Sequence, residues 1–119
     1  MHYSPDGKFL LTGGRDGHLN IWQVGDYDMI KLIPAHEWAI YDIVYSPNSN
    51  LFATASRDKT LKIWDSKTFE LLKVINKAKY DGHINSVNKL IWSTYNNYLI
   101  SAGDDRAIMI WEINLTKTS

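Results

Sequence analysis

Short runs of β-branched, aromatic and other apolar residues recur along the chain, separated by clusters of Pro, Asn, Asp, Ser and Gly. Between residues 39 and 75 the order is AIYDIVY, SPNSN, LFATAS, RDK, TLKIW, SKT and FELLKVI. Such runs, punctuated by residues that favour turns, predict four strands of an antiparallel meander. Within TLKIW, Leu61 and Ile63 face one way and Lys62 and Trp64 the other, because side chains alternate along a strand. Both faces then carry bulk, as expected of a sheet sandwiched between two others.

The pattern is threefold. TGGRDGHLNIW (residues 12–22), TASRDKTLKIW (54–64) and SAGDDRAIMIW (101–111) align without a gap. In each, a hydroxyl residue precedes an aspartate by four positions and the aspartate precedes a tryptophan by six: Thr12, Asp16 and Trp22, then Thr54, Asp58 and Trp64, then Ser101, Asp105 and Trp111. A histidine stands 18 residues before the hydroxyl in the second and third copies (36 to 54, 83 to 101). Successive tryptophans are 42 and 47 residues apart (22 to 64, 64 to 111), close to the roughly 40 to 45 residues of a four-stranded propeller blade.

On these segments, with IWD at residues 63–65, DGH at 81–83 and SPDG at 4–7, the chain resembles the WD-repeat family. The departures are small: Gln23 and Glu112 stand where the signature dipeptide ends in Asp, and Ala35 replaces the Gly before His36. The resemblance implies an all-β fold, a partial β-propeller of four-stranded antiparallel blades. One domain is expected over residues 1–119, with repeats at 1–33, 34–75 and 76–113 and a tail at 114–119. The first repeat is expected to lack its front part and the third its outer strand, so that the segment reads as the C-terminal part of a longer propeller. Such a segment is expected to self-associate or to need the missing blades, because open strand edges and an open blade face recruit partners.

Residue types alone allow His36, Thr54 and Asp58, or His83, Ser101 and Asp105, to be a base, nucleophile and orienter. Recurrence beside a tryptophan in each complete repeat argues instead for a structural network, which is the role the resemblance implies. Thr12, Asp16 and Trp22 are its first-copy members. No metal site is expected, since His2, His18, His36 and His83 show no ligand-like spacing. Gly13 and Gly14 end a strand but precede no helix, so no phosphate loop forms. No cofactor is expected.

Thirteen Lys and Arg balance thirteen Asp and Glu, leaving no overall field to draw the chain to nucleic acid or an anionic membrane. No apolar run approaches the length of a membrane-spanning helix, and the cytoplasm is the default compartment. Without cysteine, stability rests on packing.

The reading is a non-catalytic scaffold that binds partner proteins or peptides. The alternatives are a fragment of a propeller enzyme such as a hydrolase, or a truncated product with no independent function. In the family, the connections before the histidines and the turns before the aspartates share one rim. Arg15, Trp38, Arg57, Asn85 and Asp104 are the expected contacts there, with Trp38 alternatively packed against a neighbouring blade. The connection at residues 76–82 is five residues longer than its counterpart at 34–35. That extra length is either functional or a tolerated insertion.

Overall fold

The computed structural model describes residues 2–47, 50–76, 86–94, 98–104 and 106–113. Among these, all regular structure is β, in three antiparallel sheets. The first runs β1 (His2–Tyr3), β2 (Phe9–Gly13), β3 (His18–Gln23) and β4 (Met29–Pro34). The second runs β5 (Ile40–Tyr45), β6 (Leu51–Ser56), β7 (Leu61–Asp65) and β8 (Leu71–Ile75). The third has β9 (Val87–Trp92), β10 (Tyr98–Gly103) and β11 (Ile108–Glu112). Strand order follows the chain in each sheet, as short turns between neighbouring strands demand. Phe69, expected in the eighth strand, instead lies in the turn before it with φ of 61°. Tyr27 takes the same φ region, at 56°, five residues after its own tryptophan.

Unlike faces hold the sheets together. Leu11, Leu19 and Ile21 of the first sheet meet Ile43, Phe52 and Trp64 of the second. Phe52 and Trp64 are cross-strand partners whose rings lie parallel at 6.0 Å between centroids. On its other side the second sheet presents Ala53, Ala55, Leu61, Ile63 and Ile75 to Leu90, Trp92 and Leu99 of the third. Leu61 and Ile63 thus face away from Trp64, as strand alternation requires.

Inner strands are also tied by polar contacts. Asp42 on β5 accepts the Leu90 amide of β9 at 2.8 Å. The β2–β3 turn holds the connection between the first two sheets, where the Gly17 carbonyl accepts the amides of Ala35 and His36 at 3.1 and 3.0 Å, and the Gly14 carbonyl that of Ile40 at 3.1 Å.

Gly17 has φ of 82°, and a β-carbon there would lie 2.0 Å from the His36 carbonyl oxygen. Gly7 has φ of 74° with open space around it. Gly7→Ala should therefore cost only the left-handed backbone strain it introduces, about 1–2 kcal/mol, and Gly17→Ala distinctly more. Equal denaturant midpoints for the two variants would mean that the first turn does not press on the second sheet's connection.

Candidate functional site

His36 sits near the start of the β4–β5 connection, where the Gly17 carbonyl fixes its backbone. Its side chain is fully buried and that of Asp58 is 9% exposed. Nδ1 of His36 lies 2.9 Å from Asp58 Oδ2, and Nε2 lies 2.7 Å from Thr54 Oγ1. The Trp64 indole N–H donates to the same Thr54 oxygen at 3.0 Å. With the Nδ1–H tautomer of His36, each group donates to the next, from indole to hydroxyl to imidazole to carboxylate. No member of that chain is left unsatisfied, which is what burial of polar groups demands.

Asp58 does more than receive the imidazole. Its Oδ1 takes the Thr60 amide at 3.0 Å and the Thr60 hydroxyl, and its Oδ2 takes the Glu37 amide at 3.3 Å. Burial works to raise the carboxyl and is the largest single effect. The hydrogen bonds from the His36 and Thr60 side chains, the electrostatic attraction of the neighbouring imidazole and the Thr60 amide together outweigh it, holding Asp58 well below the usual carboxylate range. Lys59, between Asp58 and Thr60, takes φ of 75°, and Arg106, at the matching position, 62°. Gly17 supplies the same conformation in the first copy.

The copies share only part of this arrangement. Trp22 donates to Thr12 at 3.0 Å and Trp111 to Ser101 at 2.9 Å, so the indole-to-hydroxyl bond recurs in all three sheets. Asp16 takes the His18 amide at 3.0 Å and lies 3.0 Å from His18 Nδ1, but its side chain is 69% exposed. His18 there occupies the place of Thr60. His83, Asp105 and Asn85 lie outside the described residues, as does most of the 76–82 connection.

On the rim above the network, Trp38 is 54% exposed and the Arg57 guanidinium lies over its ring, 5.4 Å from the centroid. The backbone on both sides is fixed. Ser56 donates its hydroxyl to the Trp38 and Ala39 carbonyls at 3.2 and 2.8 Å, and the Arg57 amide donates to Ala39 at 3.0 Å. Arg15 is exposed on the neighbouring turn. Asp104 repeats the Arg57 arrangement, with its amide on the Ser86 carbonyl at 3.0 Å, and its carboxylate receives the Asn88 side-chain amide.

Sequence reasoning missed Thr60, Ser56, Asp42 and Lys62, whose ammonium donates to the Ala35 carbonyl. A hydroxyl two places beyond Asp58 was the only available sign of Thr60. It also missed a cavity of about 480 Å³ at the opposite end of the first two sheets, among Asp6, Tyr45, Ser46, Asn50 and Lys67. There the Tyr45 hydroxyl has no hydrogen-bond partner, and burial, followed by the nearby Asp6 charge, pushes it up from its ordinary value.

The sequence profile of the WD domain, G-beta repeat, matches residues 1–23, 28–65 and 75–112. The chain belongs to the WD-repeat family. Its three sheets are blades of a β-propeller, the third with three strands among the described residues. In the second WD dipeptide, Asp65 takes the Lys67 and Thr68 amides at 2.7 and 3.0 Å. In the first copy, where Gln23 replaces that aspartate, the Gln23 carbonyl takes the Tyr27 amide at 2.8 Å. The substitution is tolerated because the backbone also closes the turn.

Among relatives, the general transcriptional corepressor TUP1 of Saccharomyces cerevisiae is 39% identical over 41 residues, 34% of this chain and 6% of that protein. Ribosomal RNA-processing protein 9 of the same yeast is 44% identical over 34 residues, 29% of this chain and 6% of its own. Protein HIR1 of Eremothecium gossypii is 27% identical over 109 residues, 92% of this chain and 10% of its own. The matches span a tenth or less of the length of these relatives.

Removing the carboxylate with Asp58→Ala strands the His36 Nδ1–H and the Thr60 amide, and should cost about 1–3 kcal/mol. Because the folded carboxyl titrates below its unfolded value of about 3.9, its contribution is complete above that pH and is lost as pH falls below it. Denaturant midpoints of wild type and Asp58→Asn, followed from neutral pH into acid, should converge below about pH 4. A constant difference across that range would show that Asp58 is not the carboxylate held low.

Proposed function

We propose that the chain is part of a non-catalytic protein-interaction scaffold that holds partner proteins or peptides at the rim formed by Arg15, Trp38, Arg57 and Asp104, with Asn85 on the adjoining connection. The observation that carries this reading is the exposed Trp38 ring under the Arg57 guanidinium, on backbone tied down by Ser56 and, through Glu37 and His36, by Asp58. A rim ordered before binding loses less conformational entropy when a partner arrives. Trp and Arg are frequent anchors of protein contacts, and an Arg stacked on a ring keeps its N–H edge available for a carboxylate.

Membership of the WD-repeat family supports the scaffold, and two relatives bear the names of a transcriptional corepressor and a ribosomal RNA-processing protein. Thr54 and Ser101 are fully buried, and Thr54 sits between His36 and Trp64. These facts support a structural role for the network over a hydrolytic one. Repeat limits at 33/34 and 75/76 belong to the same reading. So do the absence of a nucleic-acid field, inferred from equal numbers of acidic and basic residues, and a cytoplasmic default. Among the described residues no helix is long and apolar enough to cross a membrane.

Capture of partners from the native lysate by the whole protein tests the rim. Trp38→Ala and Arg57→Ala, each first shown to fold, should weaken capture by at least about 2 kcal/mol, some 30-fold in affinity. Lys67→Ala, at the opposite end, should leave it unchanged. Loss with Lys67→Ala alone would move the binding surface to that end.

A further inference from the structure

The cavity of about 480 Å³ between the first two sheets lies at the end away from Trp38. Phe9 and the β1–β2 turn form one wall, and Tyr45 with the β5–β6 and β7–β8 turns forms the other. Both walls belong to described sheets, so the cavity is not the outer face of an end blade. Its size falls within the roughly 300–1,000 Å³ of small-ligand pockets.

Its walls combine fixed rings with one open carboxylate oxygen. The Tyr45 ring is held against His2 and Phe52, at 5.6 and 5.5 Å between centroids, and Phe9 meets Phe69 edge-on at 5.7 Å. Asp6 is anchored through Oδ1 alone, which takes the Ser4 hydroxyl at 2.6 Å and the Lys8 amide at 3.0 Å. Those bonds hold its carboxyl below the usual range, and among the described residues Oδ2 receives no bond. The Asp6 charge is felt at the Tyr45 hydroxyl, which is shielded from solvent and has no hydrogen-bond partner. A turn of that ring toward a bound donor would cost the hydroxyl no existing bond. The surrounding turns are acidic as a group, with Asp6, Asp26, Asp28, Asp65 and Glu70 against Lys8 and Lys67.

We propose that this cavity is a second binding site, independent of the rim, which takes an arginine side chain of a partner peptide, its guanidinium donating to Asp6 Oδ2 and to the Tyr45 hydroxyl beside Phe9. A cation is favoured over an anion because the surrounding charge is negative and ring faces attract positive charge. Guanidinium suits the place because it is flat and weakly hydrated, so it sheds water and lies against rings at lower cost than an ammonium. It also presents several N–H donors in one plane, enough to meet a carboxylate oxygen and a hydroxyl together. Lys67 is the one cation lining the cavity and opposes such a ligand.

Calorimetric titration of the whole protein with a capped pentapeptide, one arginine flanked by glycine and serine, tests the site. The arginine peptide should bind, and its citrulline and glutamate counterparts at least about tenfold more weakly. Asp6→Asn keeps an acceptor for Ser4 and Lys8, and Tyr45→Phe removes a hydroxyl without a partner, so both should keep thermal midpoints near that of the wild type. Asp6→Asn should weaken the arginine peptide about tenfold and Tyr45→Phe about threefold. Lys67→Ala should bind it at least as tightly, and Trp38→Ala equally, so that failure of the rim and failure of this cavity are told apart. The proposal is overturned if the arginine peptide does not bind, if citrulline or glutamate serves as well, or if Asp6→Asn or Tyr45→Phe retains wild-type affinity. Weaker binding by Lys67→Ala or Trp38→Ala also overturns it, since the peptide would then lie elsewhere.

Discussion

A four-stranded sheet buried on both sides has no solvent face on which to place polar side chains, and this structure meets that constraint by giving the two faces different chemistry. One face of the second sheet is small and aliphatic, with Ala53, Ala55, Leu61 and Ile63. The other carries Phe52 and Trp64 stacked at 6.0 Å, with Thr54 fully buried and bonded to the Trp64 indole. Small residues on one face make room for the large rings of the next sheet, so the stacking has a direction. Close packing at interior density leaves little tolerance for reversing it. Gly17, with the His36 carbonyl 2.0 Å from where a β-carbon would be, shows how near the sheets approach at the rim.

The polar network follows from that packing. A tryptophan turned inward must place its indole N–H somewhere, and a hydroxyl on the adjacent strand is the nearest acceptor in all three sheets. Once Thr54 is buried, its own hydrogen needs an acceptor, and His36 supplies one at 2.7 Å. His36 in turn needs Asp58, and Asp58 organises the turn through Thr60 and the Glu37 amide. The exposed Trp38 and Arg57 therefore sit at the far end of a chain of obligations that begins in the core. Severing the chain at Asp58 both strands buried donors and loosens the backbone beneath the rim.

Much of this was legible in the sequence because it is periodic. The hydroxyl, aspartate and tryptophan recur at fixed spacing, and strand alternation assigns Leu61 and Ile63 to the face opposite Trp64 without reference to any contact. Features that occur once left no such trace. Asp42 reaches β9 from 48 residues away, and Lys62 serves a backbone carbonyl whose position depends on how two sheets meet. The left-handed residues at Lys59 and Arg106 were hidden because only the first copy marks the turn with glycine, at Gly17. Local propensity favours other residues there, and the surrounding hydrogen bonds override it. Phe69 was read as strand for the same reason, since an aromatic residue next to an apolar run carries no sign of a positive φ.

The three copies also separate what the stack requires from what a single rim adds. In the first sheet the indole-to-hydroxyl bond forms although Asp16 is largely exposed and faces His18 across the turn rather than a buried histidine. The hydroxyl and tryptophan therefore meet the demand of the core alone. Histidine and the low-titrating aspartate do a different job, since they join the turn between β6 and β7 to the connection that enters β5. That connection is the segment bearing Trp38. A buried imidazole and carboxylate are costly unless fully paired, so their place in the second blade is accounted for by the backbone they fix.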